Sequence, residues 1–226
     1  MTMASSLKEH GGPLLLGALV VGGIVAGSLL GDPERVLTAG QQLTADPWRL
    51  AALVVLMAVL FTFALPGSLV VWLIAPFVSP WIAVPLLVTG STLGALGGYW
   101  LAGRLGADRG PLKRHPWLVE ALRRHGDFLH LMAMRTFPGF PHSVINYAAG
   151  MLRLSRVAFV LATILGLSVK WGVYASVLYG AAEAIERGDA LDLRTLVPLA
   201  VLAVLLLAGG WLRQRVRRSV EGPAER

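Results

Sequence analysis

The chain has 226 residues, of which 55% are hydrophobic and 15% are charged, and its net charge is +7. Soluble domains carry about a quarter charged residues, so this composition is typical of a polytopic membrane protein. The absence of cysteine excludes disulfides, thiolate metal sites and cysteine nucleophiles. The basic residues lie at the edges of apolar runs, so the charge does not indicate nucleic-acid binding.

The first apolar run, from Pro13 to Leu30, is long enough to cross a bilayer. Lys8 and His10 precede it, as in a signal peptide. The run exceeds the usual apolar core of about 7–15 residues, and no persuasive cleavage site follows. We therefore expect a retained spanning helix, followed by an external loop, over residues 1–48.

The next apolar segment, 50–78, is interrupted by Pro66-Gly67. The same pair returns 72 residues later as Pro138-Gly139, and this offset also brings Leu93-Gly94 onto Leu165-Gly166 without a gap. Such a repeat predicts two matching halves, each containing a broken helix. Ser68, which follows the first break, is interpreted as a helix N-cap rather than a nucleophile.

Continuous apolar runs at 81–102 and 157–180 predict one spanning helix in each half, and the run 197–211 predicts a C-terminal one. The loops 31–49 and 183–194 have net charges of −1 and −2. The loop 103–130 and the tail from Arg213 each carry +3. Because Lys and Arg concentrate on the cytoplasmic side, we expect the middle loop and the C-terminus to be cytoplasmic.

With the loops on these sides, segment 50–78 must enter and leave the membrane on the external face. Segment 128–151 must enter and leave it on the cytoplasmic face. The predicted fold is therefore all-α and polytopic, with an inverted repeat of two re-entrant hairpins, each followed by a spanning helix. This core covers residues 49–181. The C-terminal spanning helix and basic tail occupy 182–226.

Between the halves, residues 112–129 place apolar side chains at three- and four-residue intervals. This spacing predicts an amphipathic helix on the cytoplasmic membrane surface; an ordinary linker helix is the alternative. The positions on this face are Trp117, Leu118, Ala121, Leu122, His125 and Leu129.

The second break carries the residues best suited to bind an anion. Pro138 and Gly139 end one half-helix, and Pro141 suits the start of the next. Unpaired N–H groups of that first turn would favour an anion. Arg135 could bind phosphate with two hydrogen bonds, although an interfacial anchor is the alternative. The predicted substrate-binding residues are Arg135, His142, Ser143, Asn146 and Lys170.

Lys170 lies near the middle of a spanning run, where an ionisable residue is costly without a cavity or a partner. We expect it to pair with an anionic ligand or to cap backbone carbonyls of a hairpin tip. No comparable acid lies in the spanning runs, so no proton-relay carboxylate pair is predicted. The other histidines lack metal-ligand spacing, so we expect neither a metal nor a cofactor.

Gly90, Gly94 and Gly98 recur every four residues within one spanning run. This spacing favours a close helix-packing face over a phosphate-binding loop.

The runs LPGSLVVWLIAPF and GSTLGALGGYWLAGRLG, between Leu65 and Gly106, and RTFPGFPHSVINYAAG, from Arg135 to Gly150, resemble the DedA superfamily, also called the VTT or SNARE-associated family. The resemblance implies two oppositely oriented re-entrant hairpins and movement of lipids across bilayers. In eukaryotes this is phospholipid scrambling; in bacteria it is recycling of undecaprenyl phosphate or flipping of other phospholipids. The residues carried over are the hairpin arginine Arg135, the helix-closing Arg104, the breaks at Pro66, Gly67, Pro138 and Gly139, and the motif containing Tyr147 and Gly150.

This sequence departs from the bacterial branch of that family, which has acidic residues tied to proton coupling in the first hairpin. The matching stretch, 60–64, contains none. The chain is therefore more similar to the Golgi-protein-like branch, which leaves passive scrambling and driven transport both open.

The expected function is that of a lipid transporter, a flippase or scramblase, rather than an enzyme. Its partners would be membrane lipids with anionic head groups, and a homo-oligomer is a further expectation. We expect it in the bacterial plasma membrane. The alternatives are a non-transporting scaffold or envelope-homeostasis factor, an ion antiporter, and an enzyme acting on lipid phosphates.

Overall fold

The computed structural model describes residues 33–105, 112–113, 115–187 and 193–221, which form nine helices and no strand. The predicted helix 13–30 lies outside these residues. The helices are α1 (Pro33–Thr44), α2 (Pro47–Thr62), α3 (Leu69–Ile74), α4 (Pro80–Leu105), α5 (Pro116–Arg124), α6 (Phe128–Thr136), α7 (His142–Met151), α8 (Arg156–Arg187) and α9 (Leu193–Glu221).

Three of these helices, α4, α8 and α9, are long and apolar enough to cross a membrane. They contain the predicted spans 81–102 and 157–180 and the predicted C-terminal span. In α4, 50% of the most apolar stretch is buried within the protein, whereas the buried share in α9 is 6%. Helix α9 therefore lies at the edge of the bundle. The protein is an all-α, multi-pass membrane protein.

The predicted external loop before residue 49 contains helix α1, so it is not irregular throughout, and its side of the membrane stays a prediction. Helices α1 and α2 meet at 89°. Asp46 caps the second of them by accepting a hydrogen bond from the amide of Trp48, at 2.9 Å. Pro47 follows as the first helical residue and cannot donate to a preceding helix, so the chain must turn there.

Each half contains a helix, a Pro-Gly break and a second helix. The first break separates α2 from the six-residue α3, and the second separates α6 from the ten-residue α7. Gly139 in the second break has φ +100°, a conformation that residues with a side chain rarely adopt. The helix after the break is six residues long in the first half and ten in the second, although the sequence pattern predicts matching halves.

A glycine on each spanning helix marks how the halves correspond. A Cβ atom on Gly94 of α4 would lie 2.6 Å from the Cβ atom of Phe61. A Cβ atom on Gly166 of α8 would lie 2.6 Å from the Cβ atom of Arg135. Each spanning helix therefore packs its glycine on the entering helix of its own half, and the 72-residue offset holds for the spanning helices.

The same contacts make Arg135 the structural counterpart of Phe61, at an offset of 74. The hydroxyls of Thr62 and Thr136 confirm this register, since each donates to the carbonyl four residues earlier, at 2.8 and 3.0 Å. The gapless offset of 72 therefore holds from the break to the spanning helix, as predicted, but the helix before the break is shifted by two residues. Ala64 and Leu65 are additional in the first break, and Ala64 has φ 60°.

Two hydrophobic cores lie side by side, and α8 contributes to both. Its first half, including Phe159, joins a core built mainly from α5, α6 and α7. Its second half, including Leu167 and Trp171, joins a core built from α2, α3 and α4. The boundary between the cores crosses α8 between Ala162 and Leu167.

Helix α5 is shorter than the predicted amphipathic helix 112–129, since it ends before His125, and Leu129 belongs to α6. Its apolar residues are buried in the core beside α7 and α9. The prediction that this face contacts lipid is therefore wrong. The buried residues are Trp117, Leu118, Ala121 and Leu122.

Candidate functional site

Arg135 lies in the last turn of α6, immediately before the second break, and is only 1% exposed. Its Nη2 donates to Oδ1 of Asn146 at 2.6 Å, and its Nη1 lies 3.4 Å from Nδ1 of His142. Its Nε is buried without a hydrogen-bond partner in the described structure. The guanidinium is therefore held across the first two turns of α7 with donor capacity to spare.

Lys170 approaches the same histidine from α8. It is 7% exposed, and its Nζ lies 3.0 Å from Nε2 of His142. The expected alternative, in which Lys170 caps backbone carbonyls of a hairpin tip, is not observed among the described residues. One imidazole thus lies between two basic side chains from different helices.

This cluster has more hydrogen-bond donors than acceptors. Arginine carries five N–H donors and an ammonium three, while a neutral imidazole can accept only one hydrogen bond. Among the described residues, the buried charged side chains are Arg135 and Lys170, and no acid is buried. Two cations in an apolar interior need a compensating negative charge. An anion with several oxygen atoms would supply both the charge and the acceptors.

The start of α7 adds a second source of positive potential. Pro141 occupies its N-cap position and provides no side-chain hydrogen bond, so the first-turn N–H groups remain available. The guanidinium of Arg135 contacts His142 and Asn146 in the first two turns of the same helix. The predicted combination of an arginine and a half-helix N-terminus is therefore present in one place.

Aromatic rings from both cores surround the cluster. His142 stacks on Trp171 with a centroid distance of 5.9 Å, and its ring lies 5.4 Å from that of Phe61. Phe159 lies 5.1 Å from the guanidinium carbon of Arg135. None of these rings is among the predicted site residues. The matching triplets Phe61-Thr62-Phe63 and Arg135-Thr136-Phe137 could have identified Phe61.

The remaining predicted residues lie around the cluster. Ser143 is half-buried, and no hydrogen bond of the described structure joins it to the cluster. Tyr147 donates to the backbone oxygen of Thr62 at 2.8 Å, which links the two halves. Arg104 is exposed and stacks on Trp100, at 3.7 Å.

Glycines allow the close approaches that position this cluster. A Cβ atom on Gly98 would lie 3.2 Å from Cβ of Asn146, and Gly90 and Gly94 pack on α2. Gly150 packs on the backbone of Tyr99. The predicted glycine packing face is therefore confirmed.

In the described part of the chain, no group of three potential metal ligands occurs.

The first break packs against the site as well. A Cβ atom on Gly67 would lie 3.0 Å from the ring of Phe61, the same ring that contacts His142. No basic side chain occupies the position equivalent to Arg135 in this half. The two breaks therefore contribute different chemistry, apolar from Pro66-Gly67 and cationic from Pro138-Gly139.

Residues 52–180, more than half of the chain, match the VTT domain family. Transmembrane protein 41B of Xenopus tropicalis is 25% identical over 170 residues, or 71% of this chain. The Transmembrane protein 41 homolog of Caenorhabditis elegans is 24% identical over 174 residues, 74% of this chain and 71% of its own length. Transmembrane protein 41B of Gallus gallus is 24% identical over 166 residues, or 71% of this chain.

The chain spans 60% of the length of the Xenopus protein and 62% of that of the Gallus protein. No solved structure matches the chain. The domain match covers both Pro-Gly breaks and all of the arginine–histidine–lysine cluster. The chain therefore belongs to the VTT domain family of the DedA superfamily, on its Golgi-protein-like branch.

Proposed function

We propose that this protein transports lipids, moving an anionic phosphate head group across the bilayer while the hydrocarbon chains remain in the membrane. The observation that carries the proposal is the pair of buried cations, Arg135 and Lys170, on either side of His142. A phosphate offers several oxygen acceptors and a negative charge, which match the surplus donors of this cluster.

The position of the cluster supports movement of a head group. It lies where the two halves meet, beside a break in the α6–α7 hairpin. In inverted-repeat transporters, substrate sites lie at the repeat interface and are formed by discontinuous helices. The apolar rings of Phe61, Phe159 and Trp171 exclude water and strengthen the electrostatic attraction.

We propose the bacterial plasma membrane as its location, with the C-terminus in the cytoplasm. The basic tail and the basic loop 103–130 support this orientation. The named relatives are eukaryotic. A phospholipid and an undecaprenyl-phosphate-type lipid both carry the required phosphate, and passive and driven transport both remain compatible with the cluster.

Reconstitution into liposomes tests the proposal. Purified wild type, Arg135→Ala and Lys170→Ala would be compared for the rate at which a labelled anionic phospholipid becomes accessible on the opposite leaflet. Loss of one charge-assisted contact should slow exposure roughly tenfold or more. Arg123→Ala is the control, because that arginine is exposed and pairs with Glu120.

Two results would contradict the proposal at different levels. Equal rates for all four proteins, above those of empty liposomes, would refute the assignment of Arg135 and Lys170. Wild-type rates equal to those of empty liposomes, for phosphatidate, phosphatidylglycerol and undecaprenyl phosphate alike, would refute lipid transport itself.

A further inference from the structure

Helix α9 lies outside the matched VTT domain, yet it packs directly on the second break. Gly209 packs so closely on the backbone of Pro138 that a Cβ atom there would overlap the Pro138 oxygen. One turn later, Cδ of Arg213 lies 3.9 Å from the Cβ position of Gly139 and is the nearest atom to it. The first arginine of the basic tail is therefore placed at the break.

The surroundings of Arg213 keep its guanidinium beside the hairpin. Its Cζ lies 5.9 Å from the ring centroid of Trp117, and that ring packs on Phe140 of the break, at 6.2 Å. Arg213 is half-buried, and the described structure gives it no acidic partner. An arginine held by apolar and aromatic contacts retains its charge and its donors for a ligand.

We propose that Arg213 forms an outer binding station, which takes the phosphate of an anionic lipid head group before that phosphate reaches Arg135. The inference rests on the proposed function. Arg135 precedes the break in the buried cluster, whereas Arg213 contacts Gly139 within the break, at the end of the apolar part of α9. Lipid phosphates lie at the membrane interface, where the apolar part of a spanning helix ends.

Arg215 provides a matched control on the same helix. It is exposed, carries the same charge and lies over Trp211, at 5.1 Å, rather than over Trp117 and the break. If the tail attracted lipid only by its total charge, Arg213→Gln and Arg215→Gln would have the same effect. If Arg213 itself binds the lipid phosphate, only the substitution of Arg213 should weaken phosphatidate binding.

Binding is measured first, with the full chain in detergent and native mass spectrometry during titration with phosphatidate. Arg213→Gln should weaken phosphatidate binding roughly tenfold, since one charge-assisted phosphate contact is lost. Arg215→Gln should leave it within about twofold, and Arg213→Lys should recover part of the loss. Equal weakening by both glutamine variants, or none, would overturn the proposal.

Two further measurements separate this inference from the transport proposal. In liposomes, Arg213→Gln should raise the half-saturating phosphatidate concentration and leave the maximal rate nearly unchanged, whereas Arg135→Gln should lower the maximal rate. The binding result stands even if wild type transports nothing. Displacement of phosphatidate by an equal concentration of inorganic phosphate would overturn the lipid assignment, because it would show a site for free phosphate.

Discussion

Replacing Lys170 by methionine removes a buried charge but keeps an unbranched side chain of similar length. Nη1 of Arg135 and Nζ of Lys170 face opposite nitrogens of one imidazole, at 3.4 and 3.0 Å. The two cationic nitrogens are therefore at most about 9 Å apart, where an effective dielectric constant of about 20 gives a repulsion of about 2 kcal/mol. Desolvation of the ammonium acts in the same direction.

We therefore expect Lys170→Met to raise the free energy of unfolding of the lipid-free protein by about 2 kcal/mol, which corresponds to a Tm increase of roughly 4–8 °C for a chain of this size. The measurement is thermal unfolding in zwitterionic detergent, followed by tryptophan fluorescence. Arg156→Met is the control, because it removes an exposed cation from the same helix and should change stability by less than about 0.5 kcal/mol.

The same substitution should slow head-group transport, so stability and activity change in opposite directions. Added phosphatidate should stabilise the wild type more than Lys170→Met, since the anion neutralises the charge that the variant lacks. A lipid-free Lys170→Met protein that unfolds below the wild-type Tm would refute this reasoning. The positive charge of Lys170 would then be stabilised by groups of the folded chain itself, and the role of Lys170 would be structural.

Three further predictions concern the elements that hold the cluster. Gly166→Ala should destabilise the protein by about 1–3 kcal/mol, because its Cβ would displace α6; Gly172→Ala, which has open space, is the control, and urea unfolding measures both. Tyr147→Phe should cost about 0.5–1.5 kcal/mol by removing the hydrogen bond to Thr62, measured by the same method. Asp127→Ala should cost about 1 kcal/mol at pH 7. The backbone and side chain of His130 donate hydrogen bonds to that carboxylate and lower its pKa. A lowered folded-state pKa means that this stabilisation is present above the unfolded-state value and is lost as the pH falls through the folded-state value. The difference between wild type and variant should therefore begin to shrink as the pH falls through about 4, the ordinary aspartate pKa, and should vanish only below the lowered folded-state pKa.

Each of these predictions has an outcome that contradicts it. Equal stabilities of the Gly166 and Gly172 variants would mean that α6 and α8 can separate without cost. An unchanged Tyr147→Phe protein would mean that the link between the halves contributes nothing to stability. A stability difference for Asp127→Ala that is as large at about pH 2 as at pH 7 would exclude ionisation of that carboxylate as its cause.

Much of the fold could be predicted because membrane-spanning segments are marked locally. The apolar runs, the Pro-Gly breaks and the spacing of Gly90, Gly94 and Gly98 all depend on nearby sequence. Helix α1 was missed because its sequence is not apolar enough to indicate a span. The lipid-facing assignment of the helix at 116–124 failed because amphipathicity shows that one face is covered, but not whether lipid or protein covers it.

The sequence by itself determined the all-α membrane fold and the repeated halves, and it singled out Arg135 and Lys170, since a cation in an apolar run needs a special environment. Only the tertiary structure decided that these two cations face the same histidine, that Phe61 is the counterpart of Arg135, and that α9 brings Arg213 to the second break. These relations join residues that are distant along the chain. They depend on the packing of glycine faces and aromatic rings between helices, and local sequence patterns do not encode that packing.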